Sequence, residues 1–132
     1  MNGLESFNGG MKKLIKGIGI DLVDLERMES VNKNQKNFYK YILTAKEVKL
    51  YKKRNKKGKL EFLASRFAVK EAFSKAMGTG IGKKVNFQNI TVINNKKGQP
   101  IIIASPFDGN IFLSISHTKS AVIAQVLLEK IN

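Results

Sequence analysis

No cysteine occurs in the 132 residues, and tryptophan is also absent. The first absence excludes disulfides and thiolate zinc sites, and with a single histidine, His117, few all-protein zinc arrangements remain. A hard cation held by carboxylates is still open. Three Tyr and eight Phe give no aromatic-rich binding signature. No run approaches the roughly 18 apolar residues of a membrane span. Acids are scarce too: ten Asp plus Glu face 24 Lys plus Arg, a formal charge of +14. Such a field attracts polyanions or an acidic protein surface without choosing between them.

What is present suits one domain, because 42% hydrophobic residues in a chain of this length supply a real but modest core. The opening "MNGLESFNGG", residues 1–10, lacks the apolar core and basic flank of an export signal. It reads as an appended remnant or loose tail, leaving residues 11–132 as the domain. "KLIKGIGID", 13–21, fits a short strand whose glycines pack closely and whose end delivers Asp21. In "LVDLERMESV", Leu22, Leu25 and Met28 fall at helical spacing, and "NKNQKN", 32–37, reads as a loop. Thr44 and Glu47 stand at capping-box spacing before a helix that fades within "KKRNKKGK", 52–59. The strongest helix follows, Leu60 to about Met77, stopped by Gly78 and Gly80. "NITVIN" and "PIIIAS" read as a hairpin around 94–99, and "NIFLSIS" pairs with "SAVIAQVLLE" through "HTKS". The expectation is a single compact α+β domain with a long central helix and a mostly antiparallel sheet.

On that helix Leu60, Ala64, Phe67 and Glu71 fall on neighbouring sides, with Phe62, Val69, Phe73 and Ala76 on the other. Glu71 therefore interrupts an apolar element, where a carboxylate needs a cation, a metal or hydrogen bonds in compensation. Two readings stand. It forms an i,i+4 pair with Lys75, worth about 0.2–0.5 kcal/mol if exposed, or it is aimed into a site. Asp21 likewise either caps a helix beginning near Leu22 or joins Glu71 as a carboxylate pair. Mg²⁺ suits such a pair, because water and substrate phosphate fill the rest of its shell. Arg66, Lys70 and Lys75 around Glu71 suit a phosphate ligand, or form an ordinary solvated face. "GTGIG" matches neither the P-loop nor the dinucleotide-binding glycine pattern. Its N–H groups approach an anion, or it merely ends the helix. His117 is a turn residue satisfied by backbone, or contacts a phosphate together with Lys119.

Taken together, "GIGIDLVDLERM" (17–28), "FLASRFAVKEAFSKAMGTGIG" (62–82) and "LSISHTKSAVIAQV" (113–126) resemble the holo-[acyl-carrier-protein] synthase family, the small bacterial 4'-phosphopantetheinyl transferases. "ILTAKEVKLY" and "NFQNITVINNKKGQP" are similar to that family's intervening segments, so the resemblance covers residues 12–130 in order. It implies transfer of 4'-phosphopantetheine from coenzyme A to a serine of apo-acyl carrier protein, releasing adenosine 3',5'-bisphosphate. It further implies a cytoplasmic enzyme of fatty acid biosynthesis that assembles as a homotrimer, with active sites between adjacent subunits. Carried over, Asp21 and Glu71 are the Mg²⁺ carboxylates and Lys75 lies near the donor's phosphates. Arg66, His117, Gly78 and Gly80 look like coenzyme A contacts. Glu71 accepts the serine proton through a metal-associated water, or serves only as a ligand; the first is the expectation. Arg27 resembles a carrier-docking residue, with apolar help from Met28. The sequence departs from the family at Asn34 and Asn37, where relatives carry arginines; Lys33 and Lys36 replace the charge but not a guanidinium fork.

Two other classes compete on the residues alone. A non-catalytic nucleic-acid binder would use "KKRNKKGK" and the positive field, yet it lacks a stacking array and gives Asp21 and Glu71 no reason to converge. An assembly protein would use the apolar helix and sheet. The resemblance favours the transferase, with no nucleic acid and no membrane as partners.

Overall fold

In the computed structural model, which describes residues 5–8 and 11–131, the long strand is longer than the sequence suggests. Strand β1 (Glu5–Asn8) pairs antiparallel with the start of β2 (Met11–Asp24), so part of the expected tail belongs to the sheet. The other residues of 1–10 lie outside the described residues. β2 continues past Asp21 to Asp24, where Leu22 and Leu25 had suggested a helix. An extra residue, Lys16, bulges β2 against its neighbour just before Gly17. From there Gly17, Gly19, Asp21 and Val23 share one face of the strand, while Ile18, Ile20 and Leu22 share the other.

The first helix, α1 (Leu25–Asn34), starts three residues later than expected and takes in the first half of the presumed loop. Its cap is Asp24, whose Oδ1 accepts from Arg27 N at 3.0 Å; Asp21 is not a cap. A short helix that the pattern gave no sign of, α2 (Phe38–Ile42), follows Asn37 in left-handed backbone at φ 61. α3 (Ala45–Lys52) has the expected capping box of Thr44 and Glu47. The central helix α4 runs Lys56–Met77, 22 residues, and so includes Gly58, whose N–H donates to the Asn55 cap at 2.8 Å. A 3₁₀ turn (Phe87–Asn89) leads into the hairpin of β3 (Thr91–Asn94) and β4 (Pro100–Ala104). β5 (Asn110–His117) and β6 (Ala121–Ile131) complete the chain.

The main sheet has the order β1-β2-β6-β5, antiparallel throughout, with β3-β4 as a separate pair. α4 lies on the face bearing Gly17, Gly19, Val122, Ala124, Val126 and Leu128, and its Leu63, Ala68, Val69, Ala72 and Phe73 are fully buried there and beneath the smaller helices. The expected α+β architecture, central helix on antiparallel sheet, is what forms. The opposite face is apolar and exposed. Across β2, β6 and β5 its rows read Ile18–Leu127–Phe112, Ile20–Gln125–Ser114 and Leu22–Ile123–Ser116. Ile18, Ile20, Leu22 and Phe112 are each more than half exposed. No helix among the described residues is long and apolar enough to cross a membrane.

Candidate active site

Two glycines let β2 touch the backbone of α4. A Cβ at Gly19 would lie 1.8 Å from the Ala72 carbonyl oxygen, and one at Gly17 2.0 Å from that of Ala76. Only glycine permits this approach. Two residues beyond Gly19, on the same face of the strand, Asp21 is thereby carried to the flank of α4 that bears Glu71 and Lys75. The i,i+4 pair between Glu71 and Lys75 does not form. Lys75 Nζ instead reaches across to Asp21 Oδ1 at 3.1 Å and to the Ile20 carbonyl at 3.0 Å. Partial burial raises the Glu71 carboxyl above the ordinary range; the charge of Asp21 adds to the rise, and Lys75 offsets part of it. Among the described residues no three His, Asp or Glu side chains gather as a metal cluster. What the chain supplies is two neighbouring carboxylates, Asp21 and Glu71, with Lys75 beside them, and this donor set fits a hard cation that completes its shell with water and phosphate.

Lys70, adjacent to Glu71 in sequence, has a different fate from the phosphate contact the basic cluster suggested. It is fully buried, and its ammonium donates to Glu47 Oε1 at 2.6 Å, to the Ile42 carbonyl at 2.7 Å and to the Phe87 carbonyl at 2.9 Å. Burial lowers its pKa, against the pull of Glu47. Glu47, also fully buried, accepts in addition from Thr44 N and from Val92 N, both at 2.8 Å. One ion pair thus ties α4 to α3, the end of α2, the 3₁₀ turn and β3. Sequence reasoning found Glu47 only as a cap; a lysine among alanines and valines on α4 was the available sign that it needed a buried partner.

Arg66 and His117 are together but not with the carboxylates. They line one pocket with Arg54, Phe62, Asn94 and Val122. The Arg66 guanidinium sits 4.0 Å over the Phe62 ring, with that of Arg54 at 4.7 Å. Nη2 donates to Asn94 Oδ1 at 3.0 Å, while Nε is buried without a partner among the described residues. Burial brings the Arg66 pKa down to about 10; Glu47 opposes the shift and Arg54 adds to it. Five residues apart, Arg66 and Glu71 point about 140° apart around α4, so the two groups occupy opposite flanks of one helix. His117 is exposed and makes no hydrogen bond from its ring among the described residues, so the backbone-satisfied turn residue is not what forms. Gly78 and Gly80 take left-handed backbone at φ 80 and 67. The N–H groups of Gly78, Thr79 and Gly80 all donate to the Ser74 or Lys75 carbonyls, so they cap α4 and offer no donors to an anion.

Beside the carboxylate pair, Leu22, Met28, Val31, Phe38 and Phe67 line an apolar groove with Arg27 at its rim. Among the described residues the Asn34 side chain bonds only to Ser30, at 3.4 Å, on the helix surface. Asn37 holds the left-handed turn before α2, a conformation asparagine tolerates better than arginine.

Residues 17–126 match the family model described as the 4'-phosphopantetheinyl transferase superfamily. The chain is 50% identical over 116 residues to the holo-[acyl-carrier-protein] synthase of Enterococcus faecalis, covering 88% of this chain and 98% of the relative. It is 45% identical to that of a Geobacillus species, over 90% of this chain and all of the relative. Among solved structures, a Bacillus anthracis holo-(acyl-carrier-protein) synthase in complex with CoA (3',5'-ADP) superposes with a TM-score of 0.81 at 47% identity, covering 87% of this chain and 96% of that one. The Neisseria meningitidis enzyme gives 0.82 at 36% identity, covering 89% and 100%. A carboxylate pair beside a lysine, on a strand and helix that touch through glycines, lies within the matched span, and this chain belongs to the holo-[acyl-carrier-protein] synthase family of 4'-phosphopantetheinyl transferases.

Proposed function

We propose that the chain performs its family's reaction where β2 meets α4 as a Mg²⁺-dependent enzyme, moving 4'-phosphopantetheine from coenzyme A to a serine of apo-acyl carrier protein and releasing adenosine 3',5'-bisphosphate. The observation that carries the assignment is the meeting of Asp21, Glu71 and Lys75 across that contact. Asp21 and Glu71 would hold the cation, which when bound supplies charge stabilisation to the donor's diphosphate. The serine oxygen attacks the phosphorus next to the pantetheine, and the bond from that phosphorus to the bridging oxygen breaks. Glu71, whose carboxyl is raised above the ordinary range by burial and by the charge of Asp21, would accept the serine proton through a metal-associated water. Lys75 offsets the charge that develops on the departing bisphosphate.

Arg66, with its partnerless Nε, and His117 would hold coenzyme A, with Gly78 and Gly80 as its rim rather than as donors. Because these lie on the other flank of α4, a complete site calls for two copies. The exposed apolar sheet face supports a homotrimer whose sites form between subunits. Arg27 and the apolar groove beside the carboxylates suit an acidic carrier with an apolar contact near its serine, in keeping with the formal charge of +14. In this reading residues 11–132 form the transferase domain, the reaction takes place in the cytoplasm, and neither nucleic acid nor membrane is a partner.

Purified protein with Mg²⁺, coenzyme A and an apo-acyl carrier protein should add one phosphopantetheine arm to one serine, read by intact mass. Asp21→Ala and Glu71→Ala should each slow transfer by about 100-fold or more while leaving the fold intact. Equal activity in either variant would reject that residue's metal role, and no mass increment across several carriers would reject the reaction.

A further inference from the structure

Lys75 forms a bond that phosphate binding does not explain. From the last turn of α4 its Nζ crosses to β2, donating to Asp21 Oδ1 at 3.1 Å and to the Ile20 carbonyl at 3.0 Å. That carboxylate is one of the two assigned above to the divalent cation. An ammonium and a dication cannot both sit against one carboxylate oxygen without a like-charge cost. The two partners also differ in freedom. Asp21 is 15% exposed on a strand pinned to α4, whereas Lys75 is 51% exposed on a four-carbon stem. Lys75 is the partner that can leave.

We propose that Lys75 is an exchangeable counter-cation of Asp21. It occupies the carboxylate until a divalent cation takes its place, and it is thereby released to the phosphates of coenzyme A. The proposal rests on the Mg²⁺ reading of Asp21 and Glu71. It makes cation and coenzyme A a thermodynamically coupled pair: each helps the other by drawing or displacing the same ammonium, and the coupling is reciprocal. It also fixes a sign. Without the ammonium, the cation should bind more tightly and coenzyme A more weakly. A lysine that only held Asp21 in place would, once removed, weaken the cation. One that only met phosphate would leave cation affinity unchanged.

The test is Mn²⁺ binding to the full chain, measured by paramagnetic resonance of free Mn²⁺ without coenzyme A, in wild type and Lys75→Met. Methionine keeps the helix and the stem packing, and thermal unfolding checks the fold. The expected result is Mn²⁺ affinity about two- to tenfold tighter in the variant at low salt. Coenzyme A binding should weaken, and the gain in Mn²⁺ affinity caused by added coenzyme A should shrink. In an Asp21→Asn background, Lys75→Met should no longer tighten Mn²⁺. Mn²⁺ binding to both proteins with equal strength, or more weakly to the variant, overturns the exchange and leaves the metal reading standing. Binding to neither at millimolar Mn²⁺ overturns both.

Discussion

Gly19→Ala tests how the fold delivers Asp21. The added Cβ would meet backbone atoms of α4, the Ala72 carbonyl oxygen at 1.8 Å and Ala76 N at 2.8 Å, and neither can swing aside as a side chain would. Ordinary contact begins at 3.4 Å, so strand and helix must part by about 1.6 Å (3.4 − 1.8). Overpacking of this kind costs about 1–3 kcal/mol, and a backbone obstacle places it at the upper end. A loss of about 3 kcal/mol lowers Tm by roughly 10 °C in a domain of this size. The functional effect should be larger than the thermodynamic one. Asp21 lies two residues along the same face, and misplacing a catalytic group by about 1 Å can cost on the order of 100-fold in rate. Urea unfolding gives the first quantity. Intact-mass kinetics of carrier modification, at a temperature where the variant is folded by circular dichroism, gives the second. Ile90→Ala is the control, since it deletes a fully buried side chain on neither β2 nor α4 at a cost of about 2–5 kcal/mol. Transfer per folded molecule should survive in the control and collapse in Gly19→Ala. Gly19→Ala with wild-type stability, or with kcat equal to that of the control, would refute the close approach as the device that sets Asp21.

Three further outcomes are expected. Lys70→Met leaves Glu47 fully buried without its cation and should destabilise by about 3–5 kcal/mol, with Lys70→Met/Glu47→Gln recovering part of it in urea unfolding. Glu71, its pKa raised in the fold, binds its proton more tightly there than in the unfolded chain. Its contribution to stability is full below the unfolded carboxyl pKa and is lost as pH rises through the folded value. In EDTA, Tm of wild type minus that of Glu71→Gln should therefore fall across that window, and a flat difference would count against the raised pKa. Phe112→Arg, on the exposed sheet face, tests the proposed trimer: light scattering should show a smaller species than wild type and transfer should be lost, while the α4 core stays folded.

Sequence showed the helix and its odd carboxylate because a period near 3.6 residues is a strong signal, and Glu71 broke it. The end of β2 was hidden because Leu22, Leu25 and Met28 mimic a helical stripe. The competing two-residue alternation of Gly17, Gly19, Asp21 and Val23 is hard to see when its first members are glycines. Asp24 rather than Asp21 became the cap for the same reason. The first turn of α4 has no apolar period; the Asn55 side chain and the Gly58 N–H define it, and local pattern does not display that bond. Family resemblance gave Arg66 and His117 to coenzyme A, and the two do line one pocket. It could not show that β6 stands between the strands of Asp21 and His117, since strand order is not written in any one segment.

The adjacency of Lys70 and Glu71 links the buried network to the two carboxylates. Consecutive residues on a helix point about 100° apart, so locking the direction of one locks the other. Lys70 spends its ammonium on Glu47 and two carbonyls contributed by separate segments, and these acceptors leave α4 little freedom to turn about its axis. Hydrophobic packing alone would hold α4 less definitely, because its buried positions lie on more than one side and many are alanine. With rotation fixed by Lys70 and distance fixed by Gly17 and Gly19, the position of Glu71 relative to Asp21 is determined before any ligand arrives. The neighbouring glutamate can then remain partly exposed and raised in pKa, because it is not needed to hold the helix in place.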